Sequence, residues 1–338
     1  MSKLLTIVVP VYKVEPYINK CLDSCVLEDE KLMSQLEVII VNDGTPDNSA
    51  EMSREYVKRY PKTFCQIDKE NGGHGSAWNV GLKEATGKYL RFLDSDDWLT
   101  NLDKLMAKLA MTDADIVLSD FTKCYISENR DELRIAPNAT ENPIMIDKAF
   151  LDKCRYNYEL LNFWHSTYKT KILQPLLPLF AEHVMYDDSA LFIAPIIYGS
   201  TYESINVPIY NYLLGREGQT MQASVQRKNI DSYWSCIKQL EKLRMESSKY
   251  VQQEHIQYMD NVIQDYVHNF MGMFILLPYK ESHITMSYLL NKYPYEPSKM
   301  PKYVIRFHKM PFFVFFFLER IRTIKNNISY RLFGHKSK

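Results

Sequence analysis

An apolar run, Tyr89–Leu93, stops at three carboxylates, Asp94, Asp96 and Asp97, in the stretch KYLRFLDSDDWL. The run reads as a buried strand, and its end carries more negative charge than a core can hold without a balancing cation. Like charges a few ångströms apart repel, and desolvated carboxylates are costly unless paired or coordinated. A hard divalent cation with oxygen ligands, itself holding phosphates, resolves the conflict. The plainer alternative is a strand-to-helix turn, in which Asp or Ser caps a helix starting near Asn101 or Leu102. The residues upstream decide between the two.

Leu4–Val11 is β-branched and continuous, which suits a central parallel strand. Pro16–Leu27 has apolar residues at helical spacing. Leu36–Val41 is a second buried strand, ending in the turn NDGTPDNS, where Asp47, Asn48 or Ser49 can cap a helix running to about Tyr60. Phe64–Asp68 is a third strand. The glycine-rich NGGHGSAWNVG then leads into a helix ending near Gly87, and Ile116–Phe121 follows Tyr89–Leu93 as a fifth strand. Strands alternating with helices predict a parallel α/β sheet. In such sheets ligands sit beyond the carboxyl ends of the strands. Three strands end on polar residues, at Tyr12-Lys13, Asn42-Asp43 and Asp94–Asp97, so these are expected to converge on one crevice. That convergence turns the acidic cluster from a cap into a candidate site.

At 338 residues the chain has room for one large domain with an extension, and 46% apolar with 24% charged content is that of a folded protein. The chain is neutral overall, but Lys299–Lys338 holds ten Lys and Arg against the single acid Glu319, so the body is acidic and the tail basic. An anionic partner is expected for the tail, and no nucleic acid for the chain. The six cysteines show no CxxC and read as reduced thiols. The N-terminus is apolar too briefly for a secretory signal, and no run approaches the ~20 apolar residues of a spanning helix. The catalytic body is therefore expected in the cytoplasm. After about Leu133 the pattern loosens. Gln226–Ser247 and Glu254–Leu277 read as helices. The second has a stripe of Ile256, Met259, Ile263, Val267, Phe270 and Phe274, expected to pack on the body or the partner helix rather than form a dimer seam. An oligomer is left open. The expected divisions are a catalytic domain over 1–222, a helical extension over 223–300 and a basic aromatic tail over 301–338.

Taken together, TIVVPVYK, VIIVNDGTPDNS, NGGHGSAWNVGLKEATGKYLRFLDSDD and YDDSALF resemble bacterial family 2 glycosyltransferases of the GT-A type, over roughly the first 220 residues. The resemblance implies a Rossmann-like, mostly parallel sheet. It implies that Pro10, Val11 and Tyr12 wall a nucleotide base, that Asp43 bonds the base or its ribose, and that Asp94 reaches the ribose. Asp94-Ser95-Asp96 takes the position of the family's DXD motif, with Asp96 holding Mn2+ or Mg2+ at the donor diphosphate. Gly72, Gly73 and Gly75 would permit close backbone approach to a ligand. Many relatives carry Arg-Asn where this chain has Trp78-Asn79. Asn79 stays in the donor-binding set, and His74 or a later Lys or Arg is expected to replace the missing cation. Asp188 matches the family's catalytic base, with Asp187 as second choice; the alternative is an N-cap for a helix over Ser189–Tyr198. Arg216, in NYLLGREGQTM, is a candidate for the phosphates or a solvated surface arginine.

The expected function is inverting, metal-dependent sugar transfer from a nucleoside diphosphate donor, UDP-linked, to a glycan or lipid-linked acceptor in capsule, exopolysaccharide or other surface polysaccharide synthesis. A sugar nucleotidyltransferase would share the acidic site but needs a glycine-rich basic loop after the first strand, which VVPVYKVEP is not. A non-catalytic binding protein would have lost an acidic pair, and both are present. In the tail, five phenylalanines stand beside Arg306, Lys309, Arg320, Arg322 and Lys325. Phe312–Leu318 is too short to span a bilayer, but it can lie in the interface of an anionic membrane, which places the protein peripherally at the inner face. The alternative is a C-terminal helix docked on the body.

Overall fold

The computed structural model describes residues 2–216, 230–247 and 251–274, with short helical pairs at 287–288 and 291–292. The tail over 301–338 lies outside the described residues. The chain divides into two compact units, one of residues 1–225 and 231–263, the other of 226–230 and 264–338.

The first unit is built on a ten-stranded sheet: β1 (Leu5–Val11), β2 (Leu36–Asn42), β3 (Phe64–Asp68), β4 (Tyr89–Phe92), β5 (Trp98–Leu99), β6 (Ile116–Tyr125), β7 (Arg130–Arg134), β8 (Ile144–Met145), β9 (Ser166–Lys169) and β10 (Thr201–Leu214). The main order is β3-β2-β1-β4-β9-β6-β10-β5. β1 is buried along its whole length, as its continuous, largely apolar run requires, with Thr6 the one polar side chain in it. It pairs in parallel with β2 on one side and β4 on the other, with Val11 opposite Asn42 and Val8 opposite Phe92. The chain order reverses at this point, and that register brings Tyr12, Asp43 and Asp94 to one edge.

The expected fifth strand is longer than its apolar core, and β6 does not neighbour β4. The short β9 inserts between them, antiparallel to both. β10 then runs parallel beside β6, with register shifts around Pro208, where proline cannot donate to the ladder.

The helices are α1 (Ile18–Asp23), α2 (Glu30–Gln35), α3 (Ser49–Arg59), α4 (His74–Glu84) and α5 (Leu102–Met111), followed by shorter turns and two longer helices, Ile230–Ser247 and Gln253–Phe274. Asp47 secures the start of α3, accepting from the Ser49 amide at 3.2 Å. α4 packs on β1 through Gly81, where a Cβ would lie 2.1 Å from Val8 Cγ1. The helix Ile230–Ser247 is tied to the body by Gln239 Nε2, which donates to the carbonyl of Leu179 at 2.7 Å. On Gln253–Phe274, Met259, Ile263 and Val267 of the expected stripe are buried, Tyr258 and Val262 are buried beside them, and Ile256 is half-buried. The side chains of Phe270 and Phe274 lie outside the described residues.

Candidate active site

At the carboxyl edge of β1, β2 and β4 lies a cavity of about 470 Å³. Pro10 and Val11 line it from β1, Tyr12 from just beyond it, Asp43 from the end of β2, and Asp94, Ser95 and Asp96 from the end of β4. Gly73, His74, Asp187, Asp188 and Arg216 line it as well. Asp43 Oδ1 accepts from Lys69 Nζ at 2.7 Å and Gly72 N at 2.8 Å, and its Oδ2 from Asn71 Nδ2 at 3.0 Å and Gly73 N at 2.8 Å. The buried carboxylate thus pins the loop 69–73 to the rim of the cavity.

The glycines of that loop serve close approach, but to the chain itself. Gly73 has φ +86, in the left-handed region, and a Cβ there would lie 3.1 Å from His183 N. A Cβ on Gly75 would lie 2.3 Å from the Ala181 carbonyl and 2.8 Å from Asp187 Oδ2. These positions let the segment 181–187 press against the first turn of α4.

The three carboxylates after β4 have different fates. Asp97 is buried, accepting from Tyr210 Oη at 2.5 Å and Leu213 N at 2.8 Å. Burial, then Asp96 and Asp94, hold its pKa well above the usual carboxylate range. Its role is to join β4 to β10. Asp94 Oδ1 meets His74 Nε2 at 2.9 Å. Asp96 is ion-paired with Arg216; burial and Asp94 raise its pKa, and Arg216 opposes the rise. A carboxylate oxygen from each of the three lies within 4.8 Å of the others. This all-oxygen set fits Mg2+ or Mn2+, which use one or two carboxylates and leave positions for phosphate. With Asp97 bonded into the frame, Asp94 and Asp96 would hold the ion.

Asp187 and Asp188 do not cap a helix. Residues Asp187–Phe192 form a 3-10 turn preceded by Tyr186, with no side-chain cap. Instead Asp187 Oδ2 lies 3.0 Å from His74 Nδ1, and Asp188 Oδ2 accepts from Asn162 Nδ2 at 3.0 Å. Tyr186 is left-handed at φ 67, a strained conformation for a bulky residue, and stacks on Tyr233 with centroids 4.2 Å apart. Burial, then Asp187, push the Asp188 pKa up to about 6. His74 bridges both acidic sets. Burial opposes its charge, but Asp187 and Asp94 override this and hold its pKa well above the ordinary histidine value. As an imidazolium it donates from both ring nitrogens.

One expectation, that Asn79 binds the donor, changes here. Trp78, where many relatives carry arginine, is fully buried and stacks on Phe92 at 4.5 Å. His74, one helical turn earlier, has its ring centroid 4.1 Å from that of Trp78. Asn79, expected to bind the donor, is not among the residues lining the cavity. Its Nδ2 donates to the Phe180 carbonyl at 2.8 Å, and its Oδ1 accepts from Leu179 N and Phe180 N, each at 2.9 Å. Both ends of the amide serve the fold, because α4 must be held to the segment leading to Asp187.

Sequence reasoning missed Asn162, Tyr210 and Arg91. Arg91, inside the apolar run of β4, is fully buried and donates to Thr167 Oγ1 and to the Trp164 carbonyl, each at 2.8 Å. A lone arginine within an apolar strand was the available signal, since a charge there needs partners.

The model of glycosyl transferase family 2 matches residues 6–177. The chain belongs to that family. This family 2 chain is 30% identical over 197 residues to the uncharacterized glycosyltransferase EpsJ of Bacillus subtilis, covering 57% of the chain and 55% of EpsJ. It is 30% identical over 179 residues to the glycosyltransferase GlyA of Streptococcus pneumoniae, covering 51% of the chain and 25% of GlyA. Over 92 residues it is 38% identical to the minor teichoic acid biosynthesis protein GgaB of Bacillus subtilis, covering 27% of the chain and 10% of GgaB. The family 2 chain thus spans about half the length of EpsJ and a quarter of GlyA. Among solved structures it resembles S. aureus TarS in complex with UDP-GlcNAc, with a TM-score of 0.56 and 18% identity over 86% of this chain and 88% of that one. It also resembles the mannosyltransferase PcManGT from Pyrobaculum calidifontis in complex with GDP-Man and Mn2+, with a TM-score of 0.51 and 17% identity over 91% of this chain and 86% of that one. At such identity these likenesses carry the fold, which is the GT-A type, as the sequence motifs implied.

Proposed function

We propose that the chain is an inverting, metal-dependent glycosyltransferase of the hexosyl-transferring class. It moves a sugar from a nucleoside diphosphate donor, UDP-linked, to a glycan or lipid-linked acceptor in cell-surface polysaccharide synthesis. The observation that carries this reading is a single cleft containing two carboxylate sets, Asp94-Asp96 and Asp187-Asp188, coupled through His74. The solved neighbours, TarS in complex with UDP-GlcNAc and PcManGT in complex with GDP-Man and Mn2+, support a nucleotide-sugar donor.

In this reading Pro10, Val11, Tyr12 and Asp43 receive the nucleoside, and Asp94 and Asp96 face the diphosphate. A divalent ion bound there supplies neutralisation of the charge that develops on the leaving diphosphate. Arg216 turns from Asp96 to the phosphates when the donor enters. Asp188 removes the proton from the acceptor hydroxyl as that oxygen bonds to the anomeric carbon. The bond from this carbon to the phosphate oxygen breaks on the opposite face, and its electron pair leaves with the nucleoside diphosphate. One displacement inverts the carbon. Asp188 is the better base because its pKa near 6 leaves it ionised at neutral pH, whereas Asp187 is engaged by His74.

The deciding experiment is a panel of UDP-, GDP- and other nucleotide sugars screened for thermal stabilisation and slow donor hydrolysis, with Mn2+, Mg2+ or chelator. Metal-dependent responses confined to a few donors are expected. A flat panel, or responses that persist in chelator, would overturn the reading.

No helix among the described residues is long and apolar enough to cross a membrane. We propose that the tail over 301–338, rich in Phe and basic residues, holds the protein on anionic lipid at the inner face, which removal of residues 303–338 tests. Full-length protein should float with anionic vesicles, less so as salt rises. If the truncated protein floats equally well, the proposal fails.

A further inference from the structure

The cavity has an aromatic wall that the chemistry above does not use. Trp164 and Tyr212 both line it, and their rings are stacked with centroids 5.1 Å apart and planes 24° from parallel. Trp164 also stacks on the fully buried Phe121 at 5.9 Å, and its carbonyl is held by Arg91. Trp164 sits in the turn just before β9, yet the pair is backed by core through Phe121 and Arg91. Its location is defined from two directions. Trp164 follows two residues after Asn162, which bonds Asp188 at 3.0 Å. Tyr212 lies between Tyr210 and Leu213, the two anchors of Asp97. The Tyr212 hydroxyl is held protonated by burial first and then by Asp97, Asp94, Asp188 and Asp96, so it stands within electrostatic reach of both acidic sets. A group resting on this wall lies where donor and base must meet.

The choice of side chain is informative as well. The Trp164 Nε1 is buried without a hydrogen-bond partner among the described residues, a loss that phenylalanine would avoid. A wide, rigid aromatic face is kept here all the same. Sugar rings have an apolar C–H face and a polar rim, and flat aromatic side chains accept the former while leaving the latter to carboxylates and amides.

We propose that the Trp164–Tyr212 stack is the acceptor subsite, a platform for the face of a pyranose ring whose free hydroxyl meets Asp188. This rests on the glycosyltransferase reading of the same cleft and narrows it. The unit receiving the new linkage is a ring sugar, not an open-chain polyol or a bare lipid phosphate.

The test uses the full chain saturated with UDP and Mn2+ and reads binding of methyl hexopyranosides by saturation-transfer NMR, with glycerol as the open-chain control. Methyl glycosides should bind through their ring C–H protons, and glycerol should not. Trp164→Ala should weaken that binding about tenfold, the scale of one aromatic contact, while Trp164→Phe should stay near wild type. UDP affinity should be unchanged in both. If Trp164→Ala does not fold, Tyr212→Leu is read in the same comparison. The proposal is overturned if these variants bind glycosides as wild type does, if glycerol binds equally well, or if no glycoside binds the UDP-loaded protein. Failure of UDP itself to bind would remove the donor reading, and the acceptor subsite with it.

Discussion

His74 Nδ1 lies 3.0 Å from Asp187 Oδ2, so the first residue of α4 holds one of the two carboxylates assigned to the acceptor side. The other ring nitrogen reaches Asp94. One imidazolium therefore keeps apart two negative groups that would otherwise face each other across the cleft.

His74→Ala should lower stability by about 2 kcal/mol near neutral pH, the scale of leaving buried polar partners unmatched. The raised folded pKa sets the pH dependence. Stability from this group is fully present below the ordinary histidine value, about 6.5, and is lost as pH rises through the raised folded value. Melting curves of wild type and variant from pH 5.5 to 10 check this. A gap that stays constant or widens with pH would rule it out.

Asp188→Asn should reduce turnover by at least about 10²-fold with little change in donor affinity. Because Asp188 must be ionised to accept a proton, wild-type turnover should fall as pH drops below about 6. The variant should lack that limb. Above pH 6 it should melt no lower than wild type, since it removes a charge that burial opposes. If Asp187→Asn shows the loss and Asp188→Asn does not, the roles within the pair are exchanged.

Asp96→Asn should abolish the stabilisation produced by Mn2+ with a nucleotide sugar, leaving the metal-free melting temperature close to wild type. Arg216→Ala should have the opposite effect on metal alone. With the guanidinium gone from Asp96, Mn2+ meets less competition and should bind more tightly in the absence of donor. Calorimetric titration with Mn2+ measures both, and unchanged affinity in Arg216→Ala would contradict it.

Asn79→Ala should cost about 2–3 kcal/mol of stability, because it strands two backbone amides and a carbonyl of residues 179–180. The expected outcome is a lower melting temperature with an unchanged donor KM in the folded protein. A raised KM without loss of stability would return Asn79 to the donor site.

The first four strands and the acidic cluster were legible because their signals are local. β1 and β2 are largely apolar, β-branched runs, and a run that ends on Asp94, Ser95 and Asp96 announces a strand edge wherever it sits in the sheet. Repetition of that pattern also specifies parallel order, since each strand is returned by a helix. The motifs identified the family on the same basis.

What the sequence by itself determined was thus which residues carry charge to the edge of a parallel sheet. Only the tertiary structure decided what each one does there. β9 is four residues of STYK with no apolar run, and it becomes a strand because β4 and β6 flank it. His74 and Asp187 are 113 residues apart, and Asn79 meets Phe180 across 101. Nothing in local composition distinguishes a histidine that clamps two carboxylates from one that binds phosphate, or an asparagine that ties loops from one that binds a donor. A side chain's partner is set by which distant segments the packed core brings within about 3 Å of it, and that distance is a property of the fold alone.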